Sequence, residues 1–179
     1  MSRIGKQPVV LPKGITAKIE GARILIEGPK GKDSLGIPAS IKVVVEGAQI
    51  IVTRNSEEKL DKSLHGTIRA LINSYVQGVN QGYKKELDIV GVGYKAQMKG
   101  TVLNLNLGFS HVVEMPVPAG LKVATPNPNR IVVDGFNKQQ VGEFAAKIKK
   151  VYPVEPYQGK GVRYVGEEVK KKLGKALAK

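Results

Sequence analysis

Apolar positions along this chain change their spacing from two to about 3.6, and the change occurs twice. Residues 15–19, 23–27, 41–45 and 49–53 are short runs rich in Ile and Val, bounded by glycine or proline, which predicts antiparallel strands. Leu60, Leu64, Ile68, Leu71, Ile72, Tyr75, Val76 and Val79 then fall on one face of a long helix, with Ser56 as its candidate N-cap. Later in the chain Val141, Phe144, Ala145, Ile148 and Val151 mark a shorter helix, with Tyr75 and Phe144 expected in the core. Many strands followed by one helix predict an α+β fold, with the helix covering one face of a mostly antiparallel sheet.

The two passages match each other at an offset near 80. Ile15, Ile19 and Gly21 return as Tyr94, Met98 and Gly100, offset by 79. Leu25 and Gly28 align with Leu105 and Gly108, and Pro38, Ile41 and Val43 with Pro118, Leu121 and Val123, all offset by 80. Ile50 and Val52 return as Ile131 and Val133, offset by 81, and Leu64 and Ile68 as Phe144 and Ile148, offset by 80. Small adjustments belong in loops, where insertions cost little. The expectation is two tandem copies of one domain, residues 1–81 and 82–179, the second ending in a basic extension without counterpart in the first.

Charge singles out that extension. The net charge is +14, with 29 basic and 15 acidic residues. Residues 147–179 carry 10 basic and 3 acidic side chains, so half of the excess sits in the last 33 residues. A localised anionic partner follows from this asymmetry. A membrane surface is the rival anion, but Val169, Leu173, Ala176 and Leu177 form too thin an apolar stripe to anchor the chain. The absence of cysteine excludes disulfides and thiolate metal sites. No apolar run reaches membrane-spanning length, and residues 1–14 lack the apolar middle of a signal peptide, so a soluble intracellular protein is expected.

Within the extension, residues 156–164 (Pro-Tyr-Gln-Gly-Lys-Gly-Val-Arg-Tyr) combine close-approach glycines with two cations and two rings. Glycine permits a backbone to near another surface, Lys160 and Arg163 offer charge, and Tyr157 and Tyr164 offer ring faces and hydroxyls. The set suits RNA, read through backbone and shape. Almost nothing in the run looks fit for a core.

Other motifs imitate chemistry without its context. Residues 87–96 resemble a strand entering a GxGxxA dinucleotide fingerprint, yet Gly100 and an alternating run at 102–107 stand where the phosphate-binding helix is needed. The glycines there predict a bulge or close backbone contact, with Tyr94 and Lys95 toward RNA. Gly28-Pro-Lys-Gly31-Lys32 has KH-loop spacing but joins strands, so a type II turn is expected. His65 and His111 lie in different copies with no carboxylate or serine pattern to orient them, and no nucleophile elbow, HExxH helix or carboxylate pair appears. No metal, cofactor or small-molecule substrate is expected. Glu167 and Glu168 read as the first turn of a helix, favoured there by its dipole.

Four groups of residues resemble one family. The opening Ser2-Arg3-Ile4-Gly5-Lys6 with Pro8 and Leu11-Pro12, residues 91–96, residues 107–111 and above all residues 155–164 resemble the bacterial large-subunit ribosomal protein number six (L-six) family over essentially the whole length. The chain departs from the family pattern at Gln158, where lysine is usual, at Tyr152-Pro153-Val154, and at Val112.

The resemblance implies a non-enzymatic constituent of the large ribosomal subunit in the cytoplasm. It would bind large-subunit (23S-type) rRNA near its 3′ domain, beside neighbouring ribosomal proteins and close to the sarcin-ricin loop and the region where translation factors dock. Carried over by position, Tyr94, Lys95, Ser110, His111, Tyr157, Gly159, Lys160, Gly161 and Arg163 would face RNA, with Arg3 and Lys6 as further contacts. Lys149, Lys150 and Tyr164 join them from charge and position in this chain. The alternative from charge alone is a non-ribosomal RNA chaperone or general nucleic-acid-binding protein, and a nucleotide-binding enzyme stands behind it.

Overall fold

Two copies of a strand-rich unit, each crossed by one helix, follow one another in a computed structural model that describes residues 4–175. The first copy holds β1 (Val9–Val10), β2 (Thr16–Glu20), β3 (Arg23–Gly28), β4 (Gly31–Gly36), β5 (Ile41–Glu46), β6 (Gln49–Arg54) and α1 (Lys59–Gln81). The second holds β7 (Tyr83–Val90), β8 (Lys95–Lys99), β9 (Val102–Asn106), β10 (Val113–Pro116), β11 (Leu121–Asn127), β12 (Arg130–Gly135), α2 (Lys138–Val151) and β13 (Gly161–Tyr164). The chain divides into two compact units: one runs through Gly82 and takes in Phe136–Lys138, and the other comprises Tyr83–Gly135 and Gln139 onward.

Both copies have the same topology. The first has antiparallel sheets ordered β2-β3-β4 and β1-β6-β5; the second has β8-β9-β10 and β7-β12-β11. The expected α+β duplication is therefore present strand by strand. What differs is β13, which adds to the free edge of β7 and makes that sheet four-stranded.

Buried alternation shows where the internal alignment slips. Ile24 and Ile26 on β3 are buried, as are Leu103 and Leu105 on β9, and their cross-strand partners correspond likewise. The offset there is 79, so Leu25 does not correspond to Leu105 as the sequence pairing had it. A one-residue shift in a strand exchanges its two faces, and the core face decides the register.

The first core is built from Val9, Ile24, Ile26, Ile41, Ile50 and Val52 of the strands against Ile68, Ile72, Val76 and Val79 of α1. The helix stripe is rotated from the expected one. Leu60 is 70% exposed and Leu71 37% exposed, Tyr75 is half-buried, and Asp61 and His65 are buried instead. Those two polar groups are satisfied. Asp61 accepts from Ser56 Oγ at 2.6 Å, and hydrogen bonds from Ser56 first and then Ser40 hold its carboxyl below the usual range. Ser56 is thereby engaged with Asp61 and with the Glu58 N–H, while Glu58 occupies the N-cap without a side-chain bond.

His65 places Nε2 2.9 Å from the Val52 carbonyl and Nδ1 3.2 Å from Arg54. A carbonyl only accepts and a guanidinium only donates, so these partners assign the proton to Nε2. Gly5 lies against the ring, where a Cβ would come within 2.6 Å of Nδ1. His65 is thus a structural residue.

The β3–β4 hairpin differs from the type II turn expected. No described residue other than glycine has positive φ, whereas type II requires it at Lys30. Gly28 is needed because a Cβ there would lie 2.8 Å from the Val79 carbonyl oxygen, which also accepts the Lys30 N–H at 3.0 Å.

Candidate nucleic-acid interface

The run at residues 156–164 folds first on its own chain. The Glu155 N–H donates to the Lys160 carbonyl at 2.8 Å and the Gly159 N–H to the Glu155 carbonyl at 3.0 Å, closing a tight loop. Gly161 then enters β13, which pairs antiparallel with β7: Gly161 opposite Val90, Val162 opposite Ile89, Arg163 opposite Asp88 and Tyr164 opposite Leu87.

The two glycines do a different job from the one expected. Gly159 and Gly161 are buried at positive φ, and a Cβ on Gly161 would lie 2.8 Å from the Pro153 carbonyl oxygen and the Val154 Cα. The surface Gly161 approaches is the protein's own, whereas a Cβ on Gly159 would make only an ordinary 3.6 Å contact with the Lys171 side chain. Val162 is fully buried in the second core, the large apolar exception in a run where almost nothing was expected to fit one. β-Strand alternation sends Val162 and Tyr164 to one face and Arg163 to the other.

Tyr164 is also occupied internally. The Lys149 ammonium stands 4.8 Å and the Lys85 ammonium 5.4 Å from its ring centroid. Lys149 is gripped by both oxygens of Glu167, at 2.5 and 2.8 Å, and so is not a free cation. The expected helix beyond Glu167 is absent: residues 167–174 are neither helix nor strand, and the Lys172 N–H donates to the Pro156 carbonyl at 2.8 Å. Glu167 therefore acts as a clasp; its carboxyl is held below the usual range by Lys149 first and the Tyr164 N–H next.

What faces outward is a smaller set. Tyr157 is 54% exposed, Lys160 and Arg163 are half-buried, and Lys150, Lys170, Lys171 and Lys172 are exposed. Among the described residues neither Lys160 nor Arg163 forms an ion pair; Asp88, opposite Arg163, is held by Arg130 at 2.9 Å. Val90, Gln158, Gly159, Arg163, Glu167 and Lys171 line part of a shallow groove beside the loop.

A second cluster gathers four rings. Tyr94 and Tyr152 meet edge to face at 5.5 Å, Phe109 meets Tyr152 at 5.6 Å, and His111 stacks on Phe109 at 5.9 Å with 21° between planes. Tyr94 covers Gly91 and Gly108, where a Cβ would fall 2.3 and 2.9 Å from its ring, so the fingerprint-like glycines make room for a tyrosine. A hydrogen bond with Tyr152, followed by burial, raises the Tyr94 phenol above its usual range. Tyr94 is consequently the inner end of this ladder, whereas Ser110, His111 and neighbouring Lys95 are exposed.

Sequence reading missed Tyr152 as the ring joining Tyr94 to Phe109, and Glu167 as the clasp. The only signal for either was nearness to the glycine-tyrosine run. Lys6 lies exposed in the first unit, away in sequence from both clusters, and Arg3 lies outside the described residues. No group of His, Asp or Glu suited to a metal occurs among the described residues, and no helix there is long and apolar enough to cross a membrane.

Comparison with known proteins agrees with the duplicated plan. The family model described as Ribosomal protein L6 matches residues 11–82 and again 90–165. The large ribosomal subunit protein uL6 of Caldicellulosiruptor bescii is 49% identical over 176 residues, covering 98% of this chain and 97% of the relative. That of Caldicellulosiruptor saccharolyticus is 50% identical over the same shares, and that of Gemmatimonas aurantiaca is 47% identical over the whole of both chains. This chain belongs to the ribosomal protein L6 family.

Proposed function

We propose that this protein is a structural, non-enzymatic constituent of the large ribosomal subunit, cytoplasmic in bacteria, and that its second unit binds 23S-type rRNA. The observation that carries the reading is the outward set Tyr157, Lys160 and Arg163, held on a loop and strand that Gly161 and Val162 anchor in the core. Preorganised cations displace counterions from phosphates without first having to be ordered, and a ring beside them adds a stacking face. His111 and Lys95 supply a second contact of the same kind, and Lys150 extends the charge.

The contacted region is the 3′ domain, close to the sarcin-ricin loop and to where translation factors dock, with neighbouring large-subunit proteins alongside. Family likeness supports this finer placement. Co-sedimentation with purified large subunits, followed by crosslink mapping, tests it: crosslinks from residues 157–163 should fall in the 3′ domain. Retention by random RNA as strongly as by rRNA would favour the general RNA-chaperone reading instead.

A further inference from the structure

The sheet β8-β9-β10 has one face in the second core and one face outward. Alternation sends Ala96, Leu103 and Leu105 inward and Lys95, Gln97, Lys99, Asn104 and Asn106 outward. Register places Lys95 opposite Asn106, Gln97 opposite Asn104, and Asn104 opposite Glu114 of β10. Lys95, Gln97, Lys99, Asn104, Asn106 and Val112 line a shallow depression of about 220 Å³.

Two features set this face apart from an ordinary solvated sheet. Three primary amides stand together on two adjacent strands, flanked by lysines four residues apart on β8, about 13 Å along a strand. The Asn104 side-chain oxygen is buried and has no hydrogen-bond partner, the one such side-chain atom among the described residues. That oxygen is closed off from solvent, so of this side chain only the amino group can face a ligand.

We infer that this amide face reads the ribose edge of an RNA helix. The wide, shallow RNA minor groove presents 2′-hydroxyls and base edges that donate and accept, with a phosphate strand along each side. Lys95 and Lys99 neutralise phosphates on the β8 side. Gln97, Asn106 and the Asn104 amino group meet the hydroxyls and base edges between them. Glu114, on the β10 side, accepts from a hydroxyl or a guanine amino group and keeps phosphate off that side, which gives the docking a direction.

The inference rests on the RNA-binding reading above and assigns it a discriminating surface separate from residues 157–163. Its test uses the full chain, a transcript of the 23S-type rRNA 3′ domain, and paired synthetic RNA and DNA duplexes of one sequence. The Gln97→Ala/Asn106→Ala double variant should lose roughly tenfold in affinity for the RNA probes with its salt slope unchanged, as expected for lost neutral hydrogen bonds. Its affinity for the DNA duplex should not change. Asn104→Val should behave likewise, while Lys95→Gln/Lys99→Gln should flatten the salt slope by roughly 0.7 to 0.9 log unit per lost phosphate contact. Affinity of the amide variants within twofold of the parent, or an equal loss on DNA and RNA, would overturn the inference. If the unaltered protein failed to retain the transcript, the RNA-binding reading would fall and this one with it.

Discussion

Glu167 takes the Lys149 ammonium on both carboxylate oxygens and accepts the Tyr164 backbone N–H at 3.0 Å. One side chain so ties the segment after β13 to α2 and to the end of β13 itself. The pair is about one-third exposed, so screening limits its contribution to under about 1 kcal/mol. Because the folded carboxyl is held below its ordinary value, that contribution is present above the unfolded carboxylate range, about pH 4.3. It is lost as pH falls through the lower folded value. The melting-temperature gap between the parent and Glu167→Gln should therefore be constant from pH 8 to 5 and close below it; a gap that widens in acid would contradict the clasp.

Gly161→Ala places a methyl against Pro153 and Val154 at a positive φ. The expected cost is about 2 kcal/mol or more in urea unfolding. Gly166→Ala, where the new methyl meets open space, should cost about 1 kcal/mol.

Val162→Ala removes apolar volume from a fully buried position on β13. Destabilisation of roughly 2 kcal/mol is expected, with the salt slope of RNA binding preserved while the protein stays folded. A changed slope in the folded variant would mean that the strand's packing and its contacts are not separable.

Lys160→Gln with Arg163→Gln should leave stability within about 0.5 kcal/mol and flatten the salt dependence of rRNA binding by roughly 0.7 to 0.9 log unit per contact. An unchanged slope would remove both residues from the phosphate interface.

His65→Ala strands the Val52 carbonyl and removes an acceptor from Arg54. A loss of about 1 to 3 kcal/mol is expected in denaturant unfolding. Nitrogen NMR of the parent should find the ring proton on Nε2; a proton on Nδ1 would refute the assigned hydrogen bonds.

The period of buried positions is a local property of the chain, and so the α+β class, the duplication and both helices could be read from spacing alone. Family kinship was carried by residues 155–164 and needed no coordinates. Tertiary structure decided what those residues do. Leu60 and Leu71 were expected inside, but Asp61 and His65 take the buried face because Ser56, Ser40, Val52 and Arg54, brought near by the fold, satisfy them. Gly161 read as an approach to RNA and proved an approach to residues 153–154, while Lys149 read as free charge and proved to be Glu167's partner. Spacing reveals which side chains share a face, but whether a cation or a glycine is left for a ligand depends on neighbours that only folding brings within reach.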